Sequence, residues 1–387
     1  MRLSTPAAPR GSGRFSLARI AAIRRPSPRP SAGHTRTSPP RAAARLAALV
    51  TALVTALITA VAIGGCGGGA ATTTNGAASR STAAHPQTSR AAGSHSAPAR
   101  PLTLVYRSRY LLPAPLKDPA FAVLGGGRFA LLGGLDSSEV SSAGIEVGDL
   151  HGVLHTASLP LAQHDAQGAL LAGRVYVFGG GSATELAHIV SFDPAGGVVQ
   201  TVGALPRAQS DVAVAATGGT AYVVGGYDGS NWLDTIIAWR PGSPVRVAGH
   251  LPVGLRYAAA SAVAGRILII GGSKPDGASD AIYRFDPATG QVQQIGRLPE
   301  PITHASAATL GSFVYLVGGR GNALGSQTAG VLSIDPRTGA VQPAGRLPKP
   351  LSDTASLSIG GGIVVAGGLA PTSTVADVGE LVPGRAP

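Results

Sequence analysis

An apolar strand ending in Gly-Gly recurs six times in this chain, and its spacing leaves few folds open. The copies are FALLGG (129–134), VYVFGG (175–180), AYVVGG (221–226), ILIIGG (267–272), VYLVGG (314–319) and IVVAGG (363–368). Their first glycines stand at 133, 179, 225, 271, 318 and 367, so the steps are 46, 46, 46, 47 and 49 residues. Leu-Pro keeps the same step at 112–113, 159–160, 205–206, 251–252, 298–299 and 347–348. Asp-Pro closes another strand at 193–194, 286–287 and 335–336, and Arg240-Pro241 takes that place in the third unit. Self-similarity at a fixed period of this length marks a repeat architecture.

Within a unit the turn signals separate four short strands. In the second unit these are expected over about 165–171, 174–179, 186–192 and 198–202. Gly173 and Gly219 mark tight first hairpins, where a positive φ is cheapest for glycine. Four strands in about 46 residues, repeated, describe a propeller blade. The reading is therefore an all-β, six-bladed β-propeller over 101–387. Its last unit offers only three strands, near 354–359, 363–367 and 374–381, before the chain ends at Pro387. The segment LTLVYRSRYL (102–111) precedes the first Leu-Pro and has no unit of its own. It is expected to complete the last blade, which would remove two exposed sheet edges.

The segment LPRAQSDVAVAATGGTAYVVGGYDGSNWLDTIIAW (205–239) resembles a Kelch repeat. It has the leading Leu-Pro, an apolar first strand, Tyr-Val before Gly-Gly, and an Asp-Gly loop before the third strand. The resemblance extends over 102–381. It departs from the family in one respect: Kelch units usually carry Trp on the outer strand, and here that region reads GGVVQTVG, GQVQQIG or GAVQPAG. The two tryptophans, Trp232 and Trp239, flank the third strand of a single unit.

Charge divides the chain in two. The protein has 31 basic and 19 acidic residues. Residues 1–100 hold 13 of the basic ones and no acid, the first being Asp118, which leaves 18 basic against 19 acidic for the remainder. A nucleic-acid-binding fold carries its positive charge on the folded surface, so nucleic acid is not an expected partner. Residues 1–45 read as a disordered, Arg- and Pro-rich leader. Residues 46–63, LAALVTALVTALITAVAI, are uncharged and 18 long, about the minimum for a bilayer. The arginines before them place the N-terminus in the cytoplasm and the rest of the chain outside. Ile63-Gly64-Gly65-Cys66 closes the 46–66 segment and resembles a bacterial lipobox, which implies lipidation at Cys66. A plain helical anchor is the alternative. Residues 67–100 form a flexible tether of small and polar residues. Both alternatives predict a propeller tethered at the cell membrane on the extracytoplasmic side, and a monomer.

Five residues after each Leu-Pro proline stand Asp118, Asp165, Asp211, Tyr257, His304 and Asp353. They open the six inner strands and are expected to ring the mouth of the central channel. Lys117, His164, Ser210, Arg256, Thr303 and Ser352 precede them. These side chains either form a ligand-binding mouth, with Arg256 among them, or bond to backbone amides and pin the turn. Tyr257 and His304 break the Asp pattern and point to a ligand. The histidines at 151, 155, 164, 188, 250 and 304 show no metal-ligand spacing, and no phosphate loop or nucleophile elbow occurs. No cofactor or metal is expected. The favoured function is a module that binds a protein, peptide or glycan. The alternatives are an epimerase-like enzyme acting on a sugar in the channel and a structural envelope protein. Copper radical oxidases of related fold need a cysteine crosslinked to tyrosine, and 101–387 has no cysteine.

Overall fold

The computed structural model describes residues 100–384. The leader (1–45), the apolar segment with Cys66 (46–66) and the tether as far as 99 lie outside the described residues. Every regular element among the described residues is a strand.

Four four-stranded sheets follow one another along the chain, each a meander of antiparallel neighbours. The first holds Ala120–Gly125, Arg128–Leu132, Ser142–Gly148 and Val153–Gln163. The second holds Gln167–Leu171, Arg174–Phe178, His188–Phe192 and Val199–Ala204. The third holds Ala213–Thr217, Thr220–Val224, Thr235–Trp239 and Arg246–His250. The fourth holds Ala259–Val263, Arg266–Ile270, Ala281–Asp286 and Gln291–Arg297. A short hairpin, Ser273–Lys274 with Gly277–Ala278, and an eight-stranded sheet complete the fold. One half is Ser306–Leu310, Phe313–Val317, Gly330–Ile334 and Val341–Arg346. The other is Ala355–Ile359, Gly362–Ala366, Asp377–Pro383 and Leu104–Leu111. Leu104–Leu111 pairs antiparallel with Asp377–Pro383, from Leu104 opposite Pro383 to Leu111 opposite Asp377. Two parallel pairs, Leu104 with Gly345 and Val105 with Arg346, join the halves.

The first strand of each unit packs on the first strand of the next. Ala120–Gly125 lies against Gln167–Leu171, and the succession returns through Ala355–Ile359 to Ala120–Gly125. The apolar core sits between neighbouring sheets. Val175 and Val177 of the second sheet pack with Ala130, Leu132 and Ile145 of the first. Ile359 and Val364 likewise pack with Phe129 and Leu131. Each fully buried side chain of this size contributes about 1.5–3 kcal/mol. Trp239 is buried with its ring edge-on to Tyr176, at 4.8 Å between centroids, so it fills a gap between the second and third sheets.

The Gly-Gly pairs are explained by this packing. Gly225 has φ +62°, and a Cβ there would run into the Leu255 carbonyl of the following unit. The next glycine, Gly226, donates its N–H to that same carbonyl at 2.7 Å. Gly367 stands in the same relation to the Leu116 carbonyl of the first unit.

Several strand bounds differ from the sequence expectation by a few residues, and two of the differences have a visible cause. The strand expected from 165 begins at Gln167, because Asp165 lies in the left-handed region at φ +54° and breaks the extended run. The last third strand, expected over 374–381, runs Asp377–Pro383, and the stretch before it forms the loop back from Gly368.

Candidate functional site

Nine non-glycine residues among those described have positive φ, and six of them are Asp118, Asp165, Asp211, Tyr257, His304 and Asp353, at 52° to 60°. Asp and His are enriched there, whereas Tyr, a bulky residue, is an outlier. The conformation turns each peptide toward its neighbour. Asp118 N–H donates to the Asp353 carbonyl (3.0 Å), Asp165 to Asp118 (3.3 Å), Asp211 to Asp165 (2.9 Å), Tyr257 to Asp211 (3.0 Å), His304 to Tyr257 (3.2 Å) and Asp353 to His304 (2.9 Å). The six peptides thus form a closed circle of hydrogen bonds. The turn is held by backbone to backbone, not by the side-chain-to-amide bonds that the sequence left open.

The side chains are therefore not needed to pin the turn. All six line one cavity of about 80 Å³ at the end of the channel, with Pro119, Val212, Val214, Ala258, Ala260 and Ala305 among its further walls. Arg256 stands at its rim. Its guanidinium contacts the Asp211 carboxylate, donates to the Tyr257 hydroxyl at 3.3 Å, and lies 4.3 Å from the centre of the Tyr227 ring. The Tyr257 hydroxyl donates to Asp165 Oδ2 at 3.4 Å. Tyr257 stacks on His304 with ring centres 3.7 Å apart.

His304 has a fixed tautomer. Arg320 Nη2 lies 3.1 Å from His304 Nε2, and a guanidinium only donates. Nε2 therefore accepts, and the ring proton sits on Nδ1, 3.0 Å from Thr303 Oγ1. Burial, with the charges of Arg320, Arg256 and Lys117 adding to it, pushes the His304 pKa down to about 2. One consequence falls on Asp353. Its Oδ2 accepts from Ser352 at 2.5 Å, while its Oδ1 faces the bare Nε2 at 4.0 Å.

Burial also raises all four carboxyl groups. Asp118 and Asp165 stand well above the usual carboxylate range, first through burial and then through the neighbouring acids. Asp118 shares a hydrogen bond with Asp353, and Asp165 with Asp211, so the two members of each pair titrate together. Burial raises Asp211 and Asp353 too, but Arg256 opposes the rise at Asp211 and the Ser352 hydroxyl opposes it at Asp353. Among the described residues no group of three or more His, Cys, Asp or Glu side chains is placed to hold a metal.

The sequence singled out Asp118, Asp165, Asp211, Arg256, Tyr257, His304 and Asp353, and the structure places all seven at this cavity or its rim. Cys66 lies outside the described residues. Sequence reasoning did not place Arg320, Tyr227 or Trp232 at the site. A signal existed: Tyr227 and Arg320 each come directly after a Gly-Gly pair, and each bridges the residue before a ring position, Ser210 and Thr303.

The Kelch motif matches residues 210–243 and 254–299, two successive units that include Asp211, Arg256 and Tyr257. The sheets, packed first strand on first strand, are those of a β-propeller. A solved structure titled "Structure of YjhT" superposes with a TM-score of 0.60 at 17% identity, over 70% of this chain and 95% of that one. No curated protein sequence matches the chain.

Proposed function

We propose that this chain is a closed six-bladed propeller, attached to the outer side of a membrane, that binds a protein, peptide or glycan at the end of its channel. The observation that carries the binding function is the convergence of four Asp side chains with Tyr257 and His304 on one cavity. The circle of six backbone hydrogen bonds and the pairing of Leu104–Leu111 with Asp377–Pro383 support a closed ring of six blades. The arginine-rich leader, the apolar run and Cys66 support the attachment.

The alternative, an enzyme acting on a sugar, draws on Asp118 and Asp165, whose raised pKa values suit a general acid. His304 does not serve it as a base, because Arg320 occupies the Nε2 lone pair. Binding is therefore the reading favoured. The full-length protein in detergent micelles is applied to glycan and peptide arrays. Specific capture that weakens in Tyr257→Phe is expected. Silence on both arrays, or capture indifferent to that change, overturns the binding function. For the attachment, Cys66→Ser is expected to leave the leader uncleaved, and unchanged processing would assign anchoring to the 46–63 segment.

A further inference from the structure

We propose that a second cleft, between the 299–302 connection and the strands Phe313–Val317 and Gly330–Ile334, takes a carboxylate with a short apolar body. The carboxylate sits on Arg320 and the body lies against the cleft wall. The cleft shares no lining residue with the channel-end cavity, so this goes beyond the binding function above and does not depend on it.

The first argument is the cleft and its origin. Pro299, Pro301, Ile302, Leu316 and Leu332 form its apolar wall, and Gly330 lies on the same face of its strand as Leu332. Gly330 opens the third strand of its meander, as His188 does in the second sheet. In the second sheet the His188 imidazole meets the Gln163 side chain at 2.5 Å, and the pair occupies the place between connection and strand. Ile302 stands where Gln163 does, three residues after the Leu-Pro proline, and Gly330 supplies no side chain to meet it. The space left is about 390 Å³. That corresponds to roughly a dozen water-sized groups and lies in the range of small-ligand pockets.

The second argument is charge. Lys117, Arg256 and Arg320 are the cations around His304. Lys117 pairs with Glu139 and Arg256 with Asp211, whereas Arg320 has no acidic partner among the described residues. Its Nη1 donates to the carbonyls of Gly321 (3.2 Å) and Asn322 (3.5 Å), and its Nη2 to His304 Nε2. Those acceptors are neutral and do not use all five guanidinium N–H groups. Thr328 adds a donor: its Oγ1 accepts from the Gly330 N–H at 3.0 Å, which leaves the hydroxyl proton free. A half-buried guanidinium beside an apolar wall lacks an anion, and a planar carboxylate matches its fork. The other polar side chains of the cleft are Ser326, whose hydroxyl is spent on the Ala323 carbonyl, and Glu300, which is exposed at the rim, where water and salt screen its charge. The same chemistry occurs in a free aryl or alkyl acid and in the C-terminal residue of a peptide.

The test is calorimetry on the full-length protein in detergent, with the heat of protein-free micelles subtracted, using 3-phenylpropionate and its neutral counterpart 3-phenylpropanol. The acid is expected to bind about 10-fold or more tighter than the alcohol. Gly330→Val fills the cleft without touching the ring. Gly330 lies outside the left-handed region, and a Cβ there meets only Thr328 Oγ1, at 3.3 Å. This variant is expected to lose binding of both compounds. Arg320→Gln removes the charge, leaves an amide donor for His304, and is expected to weaken the acid about 10- to 100-fold while leaving the alcohol unchanged. Should either variant fail to fold, the comparison of acid with alcohol in the wild type still decides. A peptide ending in phenylalanine, as free acid and as amide, separates the sources: binding of the free-acid peptide points to a chain terminus, and binding of 3-phenylpropionate alone points to a small acid. No heat with the acid, equal binding of the alcohol, or undiminished acid binding in either folded variant overturns the proposal. Tyr257-dependent capture on the arrays would stand in any of those cases.

Discussion

His304 offers a direct measurement of how dry the channel end is. Its pKa in the folded protein is pushed from 6.5 down to about 2, because burial and the neighbouring Arg320, Arg256 and Lys117 all disfavour the imidazolium. The unfolded chain then binds a proton on this residue that the folded chain refuses. Stability from His304 is complete above the unfolded value of 6.5 and is lost as the pH falls below it. The substitution is His304→Asn, which accepts the φ of +56° at this position and offers Arg320 an oxygen in place of Nε2. Integrating the linkage relation, wild type should lose about 2.5 kcal/mol relative to the variant between about pH 6 and pH 4. The assay is urea denaturation of both proteins across that range, read as the difference in unfolding free energy at each pH. Taking the difference matters, because the raised aspartates contribute with opposite sign: their penalty lies above the ordinary carboxylate pKa and is relieved on acidification. They are present in both proteins and cancel to first order. A difference that stays flat from pH 6 to pH 4 would show that His304 takes up a proton in the folded state, and the neutral, Arg320-bound imidazole would be refuted.

Three further outcomes are expected. Asp165→Asn should raise the melting temperature at neutral pH by more than about 2 °C, since the burial that raises this carboxyl makes its ionisation costly; in differential scanning calorimetry the gain should vanish as the pH approaches 4, and a neutral or negative shift at pH 7 would refute the burial argument. Gly225→Ala places a Cβ against the Leu255 carbonyl at φ +62° and should cost about 3 kcal/mol or more, measured by chemical denaturation. Deleting 101–111 removes the strand that pairs with Asp377–Pro383 and should abolish cooperative unfolding by circular dichroism; a soluble, cooperative truncation would refute closure by this strand.

The strands and their four-part grouping were legible because glycines and Leu-Pro pairs are local signals with a fixed period. Gly179 and Gly225 each need a positive φ and a close carbonyl, so no other residue serves, and the sequence carries that requirement openly. The ring positions were legible for the same reason, since the count from each Leu-Pro is constant. Their partners were not. Arg320 reaches His304, and Arg256 reaches Tyr227, through side chains whose direction no periodicity encodes. Nor does the sequence reveal that peptides, not side chains, hold the turn, because a circle of hydrogen bonds joins residues 46 to 49 apart along the chain and is closed only by Asp118 bonding to Asp353.

The choice of residues around that circle bears on whether it serves more than closure. Every member needs the left-handed conformation, which glycine adopts at no steric cost and asparagine tolerates without a charge. A ring selected for closure alone would draw on those two residues. The chain has neither at any of the six positions. It buries four carboxyl groups, each raised by the loss of water, and it places Tyr257 at φ +53°, where a bulky side chain costs about 1–3 kcal/mol. These costs are offset only in part by Arg256 and Ser352. Strain at Tyr257 and costly burial of four carboxyls around one cavity are the pattern of a site maintained for what its side chains contact. The backbone circle then explains how those side chains are aimed, and the cavity explains why they are not glycine.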